Sequence, residues 1–406
     1  MLLLAVIVQR ADASQRGIMK RILISMVLTG MALSVAAQQV QPAGEYQRRA
    51  TEMFHRVWTL YRVPQHGLFS EYYPQQYKDS LTYMQDGNVQ SKEVSYLWPL
   101  SGVVTSANVM MRLPGKKAAY QPYVDSAMTA MYQYRDTTRK PAGYQAYPSK
   151  FEKVDRYYDD NGLVAIDYME AYENTRNPVY LSRAREVFAF IMSGWTDVLG
   201  GGVTWLEGHS DQKPACSNGM ATLAALKIYK ATKDPYYLKQ GIQFYDWMNR
   251  HLRDSAGLYR NDIKTATGAV NPTYYTYNTG SMLEAAMMLY SFTRQQKYYR
   301  DAKQTAQSAY HYFGQPQEGM RSEFCDLPWF ATVLFRGYAA LYAVEKDPVY
   351  LKAIIARVDH AWNNRDRFGL LNHNWSDKRD DAGKPKWLLD EACIAELYAR
   401  MALLNL

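Results

Sequence analysis

A ten-residue pattern that occurs three times along the chain constrains the fold more than any other feature. Tyr172-Glu-Asn-Thr175-Arg-Asn-Pro178-Val-Tyr180-Leu181 is echoed by Tyr229-Lys-Ala-Thr232-Lys-Asp-Pro235-Tyr-Tyr237-Leu238. It returns as Tyr342-Ala-Val-Glu345-Lys-Asp-Pro348-Val-Tyr350-Leu351, and a weaker copy runs from Tyr290 through Thr293 to Tyr298 and Tyr299. In each copy an amphipathic helix ends, Asp or Asn caps the next helix, and Pro occupies its first turn, where no N–H is needed. Each copy is therefore the tight connection of a helical hairpin. Tyr-to-Tyr spacings of 57, 61 and 52 residues leave room for two helices and one longer loop per unit.

Elsewhere apolar residues also recur three and four apart, and strand-like alternation is rare. Residues 45–62, 95–111 and 120–136 read as further helices, and 387–404 as the last. The expected fold is all-α, about twelve helices in six hairpins closed into an (α/α)6 toroid, as a single domain over residues 38–406. An open solenoid is the rival, and closure is favoured because neither end shows a polar capping repeat. The chain has 35 Tyr beside 12 Phe. A ring with a hydrogen-bonding tip suits helix seams that end in a wet cleft.

Before the first hairpin, Lys20 and Arg21 precede the apolar stretch 22–37, which ends in Ser34-Val35-Ala36-Ala37 ahead of the polar Gln38. A positive region, an apolar region and small residues describe a secretory signal over residues 1–37, with translation starting at Met19. The apolar stretch is short for a membrane span. The mature protein is expected to be secreted or periplasmic, without a membrane span, and monomeric. The net charge of +8 is scattered, with no Lys/Arg run interleaved with aromatics, so nucleic-acid binding is not expected. Cys216, Cys325 and Cys393 have no zinc spacing; they read as three buried thiols or as one disulfide and a thiol. No close His pair suggests a metal and no phosphate-binding loop suggests a nucleotide, so no metal or cofactor is expected.

The long loops hold the unusual residues: Ser95 to Pro99 with Trp98, Asp159-Asp160-Asn161-Gly162, Gly200 to Trp205, Ala215 to Gly219, Thr276 to Gly280, and Asn372 to Trp375. Aromatics, amides and carboxylates gathered at hairpin ends are what a sugar-binding cleft requires. The triple glycine at 200–202 reads as a turn, Asp326 as a helix N-cap, and Asp167 and Glu170 as solvated or supporting residues. Asp159 and Asp160 stand at the expected start of a helix over 161–175. One reading of the pair is helix capping. The other is catalytic: successive residues splay by about 100° on a helix lip and can flank one bond. Helix N–H groups would keep one carboxylate ionised while its charge raises the pKa of the other, giving a nucleophile and a general acid. Retaining glycosidases place their carboxylates roughly 5–5.5 Å apart, a spacing that neighbours can reach.

The stretch from Asp159 to Thr175 resembles the signature of glycoside hydrolase family 76, the α-1,6-mannanases. Gly201-Gly202-Val-Thr-Trp205, Lys213-Pro-Ala-Cys-Ser217-Asn218 and Thr276-Tyr277-Asn278-Thr-Gly280 match in order, and the similarity covers nearly the whole chain after the leader. The resemblance implies an (α/α)6 toroid that cuts α-1,6-linked mannan with retention. Asp159 would be the nucleophile and Asp160 the acid/base, with Trp98, Trp205, Asn218, Tyr277 and Asn278 contacting sugar. The chain departs from the family where Leu163 replaces a common Trp and where Trp205 stands alone for an aromatic pair. Subsite number, endo or exo action, linkage and decoration therefore stay open. Two alternatives share the cleft. One is a mannan-binding protein without catalysis. The other is a toroid enzyme acting on uronic acids, for which Arg321 and Arg365 to Arg367 are the candidate cations.

Overall fold

The computed structural model describes residues 43–77, 81, 89–314, 326–372, 375 and 384–406. The leader with Met19, and also Arg321, Cys325, His373 and Asn374, lie outside them. Among the described residues there are twelve α-helices: Ala43–Leu60 (α1), Leu97–Met110 (α2), Lys117–Tyr132 (α3), Tyr158–Thr175 (α4), Pro178–Ser193 (α5) and Ala215–Thr232 (α6), then Pro235–His251 (α7), Thr276–Thr293 (α8), Gln296–Ala309 (α9), Pro328–Glu345 (α10), Val349–Asn363 (α11) and Leu388–Leu404 (α12).

The four repeat copies fold alike. Arg176, Lys233, Arg294 and Lys346 end their helices in the left-handed conformation, each with its N–H bound to a Tyr carbonyl four residues back. The basic side chain lies 5.5–6.0 Å over the ring of that same Tyr. A cation over a ring, close to the negative end of a helix, offsets part of the cost of a left-handed non-glycine residue. Asn177 and Asp234 then accept from Val179 and Tyr236 N–H, as N-caps ahead of Pro178 and Pro235.

Even-numbered helices α2 to α12 form an inner ring in which each touches the next and α12 returns to α2. Helices α3, α5, α7, α9 and α11 back their hairpin partners from outside. Helix α1 packs on α12, so the first and last helices complete the sixth hairpin and the toroid is closed. Inner helices are buried all round, as in α2, where every residue from Pro99 to Met110 is buried. Outer helices bury one stripe, as in α9 with Tyr298, Ala302, Thr305, Ala306 and Ala309.

Contact within the ring depends on missing side chains. A Cβ on Gly162 would lie 2.5 Å from Met220, on Gly219 2.6 Å from Ser281, and on Gly280 2.5 Å from the Leu334 backbone. The ring is also joined at its long loops. Tyr72–Tyr73 pairs antiparallel with Lys386–Trp387, linking the first loop to the last. The buried Glu71 fastens that joint by accepting from Tyr96 N–H at 2.9 Å and Trp387 Nε1–H at 2.6 Å.

Below the long loops the ring is filled by charge. Asp167 and Glu170 are 1% and 4% exposed, so the expectation that they are solvated is corrected. Arg336 grips Glu396 through two bonds of 2.6 and 2.7 Å, and Arg400 reaches Glu396 at 2.7 Å. Lys227 lies 3.0 Å from Glu284 and 3.7 Å from Glu170, which also faces Arg112 and Arg400. Burial opposes ionisation of Glu170, and the charges of Arg112, Arg400 and Lys227 overcome it, holding the carboxylate below its usual range.

The glycine contacts yield a stability test. Gly280→Ala should destabilise the fold by about 2–3 kcal/mol, because the helix backbone it meets cannot step aside as a side chain could. Gly44→Ala, with open space around the new methyl, should be neutral or slightly stabilising. Urea unfolding of both variants measures the difference.

Candidate active site

The long loops gather at the N-terminal ends of the inner helices and surround a cleft of about 390 Å³. Its lining follows the repeat. The second residue of five of the six inner helices lines it: Trp98, Asp159, Cys216, Tyr277 and Trp329. The residues just before those helices, Tyr96, Tyr157, Pro214, Tyr275 and Leu327, line it too.

Helix α4 begins three residues earlier than expected, so Asp159 and Asp160 sit inside its first turn and the N-cap position falls to Tyr157. The first free N–H, that of Tyr158, is bound by the Trp205 carbonyl at 2.9 Å. Capping therefore accounts for one bond only, from Asp160 N–H to Asp159 Oδ1 at 3.0 Å.

The two carboxyls have unequal surroundings. Asp159 Oδ2 accepts from the Trp205 indole at 3.1 Å, and the Cys216 thiol faces the same carboxyl. Burial raises the Asp159 pKa, while the thiol, the Asp160 N–H and the indole pull it back. For Asp160 burial comes first and the Asp159 charge second, and both push its pKa well above the usual range. Asp159 is thus the carboxyl that ionises first, and Asp160 is the one that keeps its proton.

The loop over 194–214 aims Trp205. Gly200, Gly201 and Gly202 turn it with φ of 69°, 129° and 82°, as the triple glycine suggested. Lys213 Nζ donates to the carbonyls of Thr196, Val198 and Gly201, closing the turn from beneath. Asn218 then holds Val203: its Oδ1 accepts from Val203 N–H at 2.8 Å, and its Nδ2 donates to the Val203 and Pro214 carbonyls.

Of the expected sugar contacts, Trp98, Trp205 and Tyr277 line the cleft with the carboxyl pair. Asn218 and Asn278 are fully buried and do not, which corrects their assignment. Asn218 is committed to loop backbone. Asn278 donates to Asn261 Oδ1 at 3.3 Å, and it is Asn261 that reaches the cleft. The Asn372 side chain likewise donates to a backbone carbonyl, and Trp375 is 1% exposed. Asp326 does not cap its own helix; it bridges to α8, accepting from Thr276 N–H at 2.7 Å, and burial pushes its pKa up to about 6.

Sequence reasoning missed Cys216, Trp329, Phe330, Asn261 and Asp262. Phe330 stacks with Tyr277 at 4.5 Å and with Trp98 at 5.9 Å, so one aromatic wall spans α2, α8 and α10. Aligning the helix starts would have exposed Cys216 and Trp329. Cys216 and Cys393 are free, buried thiols. The described lining contains four carboxyls, Asp159, Asp160, Asp262 and Asp326, and no Lys, Arg or His. Arg365 is paired with Glu52 and Arg367 packs on Phe368, so neither supplies the cation that an acidic sugar would need.

The comparisons agree with this architecture. A mannan endo-1,6-α-mannosidase of Candida albicans is 28% identical over 171 residues, which are 38% of each chain. The matched stretch is only about a third of the length of such curated relatives. A family 76 glycoside hydrolase (mannosidase) from Bacteroides thetaiotaomicron superposes with a TM-score of 0.76 at 25% identity, over 89% of this chain and 98% of its own. An inactive α-1,6-mannanase variant of Salegentibacter sp. HEL1_6, with two successive aspartates replaced by asparagine and in complex with α-1,6-mannotriose, superposes with a TM-score of 0.69. It is 20% identical, over 88% of this chain and 99% of its own. The sequence profile named glycosyl hydrolase family 76 matches residues 46–384, and the chain belongs to that family.

Proposed function

We propose that this protein hydrolyses the α-1,6-linked backbone of mannan, cutting within the chain and retaining anomeric configuration. The observation that carries the proposal is the unequal environment of two successive carboxyls at the floor of an aromatic-walled cleft. The relatives that act on or bind α-1,6-mannan, and the paired aspartates replaced in the inactive Salegentibacter variant, support the substrate and the site. The apolar leader supports a secreted or periplasmic location. Among the described residues no helix is long and apolar enough to cross a membrane. The carboxyl pair and the aromatic wall come from one chain, which supports a monomer.

In the first step an ionised Asp159 oxygen attacks the anomeric carbon. The bond from that carbon to the leaving sugar breaks, and Asp160 gives its proton to the departing oxygen. Asp160 then takes a proton from water, the resulting hydroxide attacks the same carbon, and the ester to Asp159 is cleaved. Indole and thiol donors stabilise the Asp159 charge before attack and after release. Trp98, Trp205 and Tyr277 offer rings to pyranose faces, while Leu163 and Met220 leave part of the floor aliphatic.

Asp159→Asn and Asp160→Asn should each lower kcat on α-1,6-mannan at least about a thousand-fold with unchanged thermal unfolding. Near-wild-type turnover by either variant would refute the assignment, and proton NMR of the first product should show the α-anomer. Trp205→Phe removes a donor to Asp159 and so raises the pKa at which it ionises. The acid limb of the kcat/KM profile should move to higher pH, while the alkaline limb, set by Asp160, stays in place. The cleft's charge makes a third test. Mannan bearing phosphodiesters should be cleaved roughly ten-fold less efficiently than the neutral polymer, and added salt should narrow the gap.

A further inference from the structure

A buried polar cluster converges on one half-buried amide in the cleft lining. Asn261 lies in the loop before α8 and lines the cleft, and its carbonyl is tied to Ala215 N–H at 2.7 Å. Its side chain is held at both ends. Nδ2 donates to Asp262 Oδ2 at 3.0 Å, and Oδ1 accepts from Asn278 Nδ2 at 3.3 Å. A carboxylate oxygen only accepts, so Asp262 fixes which end of the amide is nitrogen. Asp262 is itself fixed. Its Oδ2 also accepts from Asn271 Nδ2 at 2.8 Å, and its strand Asp262–Lys264 pairs with Gln212–Pro214.

The supports are expensive to bury. Asn278 is fully buried and Asp262 is 4% exposed, and each keeps one side-chain oxygen without a hydrogen-bond partner among the described residues. The nearest cation to Asp262 Oδ1 is Lys264, at 3.8 Å. Packing alone would be better served by apolar residues at both positions. What the cluster achieves is a single orientation of Asn261, whose amide keeps one further N–H and one further oxygen lone pair beyond these two bonds.

We infer that Asn261 is a specificity-determining residue that binds two adjacent hydroxyls of a sugar in the cleft, and that Asn278 is its positioning residue. The donor and acceptor of one amide match a vicinal diol, one hydroxyl giving its proton and the other receiving one. Asn278, whose motif suggested a sugar contact, then acts on substrate through Asn261. This inference rests on the mannan reading above.

A double-mutant cycle tests it, with kcat/KM on α-1,6-mannotetraose and the thermal midpoint measured for each protein. Asn261→Ala should lower kcat/KM about thirty-fold, as expected for two lost hydrogen bonds, with the midpoint little changed. Asn278→Ala should cost roughly five-fold in the wild-type background and less than two-fold when Asn261 is already Ala. The inference is overturned if Asn261→Ala stays within two-fold of wild type. It is equally overturned if Asn278→Ala costs the same factor in both backgrounds, which is the mark of a purely structural role. Wild-type protein that leaves the tetraose intact would instead refute the hydrolase reading itself.

Discussion

Four buried side chains one turn into the inner helices hold the loop backbone that arrives beside them, and the site depends on those bonds. Asn161 takes Tyr144 N–H at 2.7 Å, Asn218 takes Val203 N–H at 2.8 Å, Thr279 takes Tyr259 N–H at 3.4 Å, and Glu391 takes Leu371 N–H at 3.1 Å. Two-stranded pairs satisfy only part of the loop backbone that crosses the top of the ring, and side chains supply these further bonds. At Asn218 the consequence can be followed to the chemistry. The bond fixes Val203, the following residues place the Trp205 carbonyl on Tyr158 N–H, and the Trp205 indole lands on Asp159. The unequal surroundings of two like residues thus begin with a buried amide.

The toroid separates two electrostatic regimes along its axis. The inner helices point their N-termini at the cleft, whose described lining gathers four carboxyls and no basic residue. Eleven residues further along α4, about 16 Å at the helical rise, Glu170 sits among Arg112, Lys227 and Arg400. Compensated charge in the lower layer ties the six helices together. In the upper layer burial first, and the neighbouring Asp159 charge second, push the Asp160 pKa up. The same side chains are ionised by their partners at one depth and have their ionisation opposed by burial at another, and the difference lies in which partners the ring supplies.

Much of this was legible in the sequence because it is periodic. The Tyr-to-Pro repeat announced the hairpins, and their turns form as the local chemistry of Asn177, Asp234 and Pro235 dictates. Asp159, Asp160, Trp98, Trp205 and Tyr277 were picked out by their place at hairpin ends, and they meet in one cleft. Asn218 and Asn278 were misread because a motif records which residue is needed and not which way it faces. An amide that ties a loop and an amide that binds sugar look the same in one dimension. Asp167 and Glu170 were misread for a related reason. On an inner helix every face is buried, so polar residues there signal a charge network inside the ring, whereas helical periodicity alone suggests a solvated face. Asn261 and Asp262 escaped notice because their meaning comes from Asn271 and Asn278, nine and seventeen residues away.

In the proposed mechanism Asp159 is the nucleophile, because the thiol, the Asp160 N–H and the indole offset part of the burial that raises its pKa. Asp160, which has no such donors among the described residues, bears the proton. The assignment is tested most directly by trapping the intermediate with a 2-deoxy-2-fluoro mannosyl donor carrying a good leaving group, followed by intact-mass and peptide analysis. The account predicts one fluoromannosyl adduct per chain, on the peptide containing Asp159 and at that residue, formed more slowly when Trp205 is Phe. An adduct on Asp160, or turnover to the inverted anomer with no adduct at all, would contradict it.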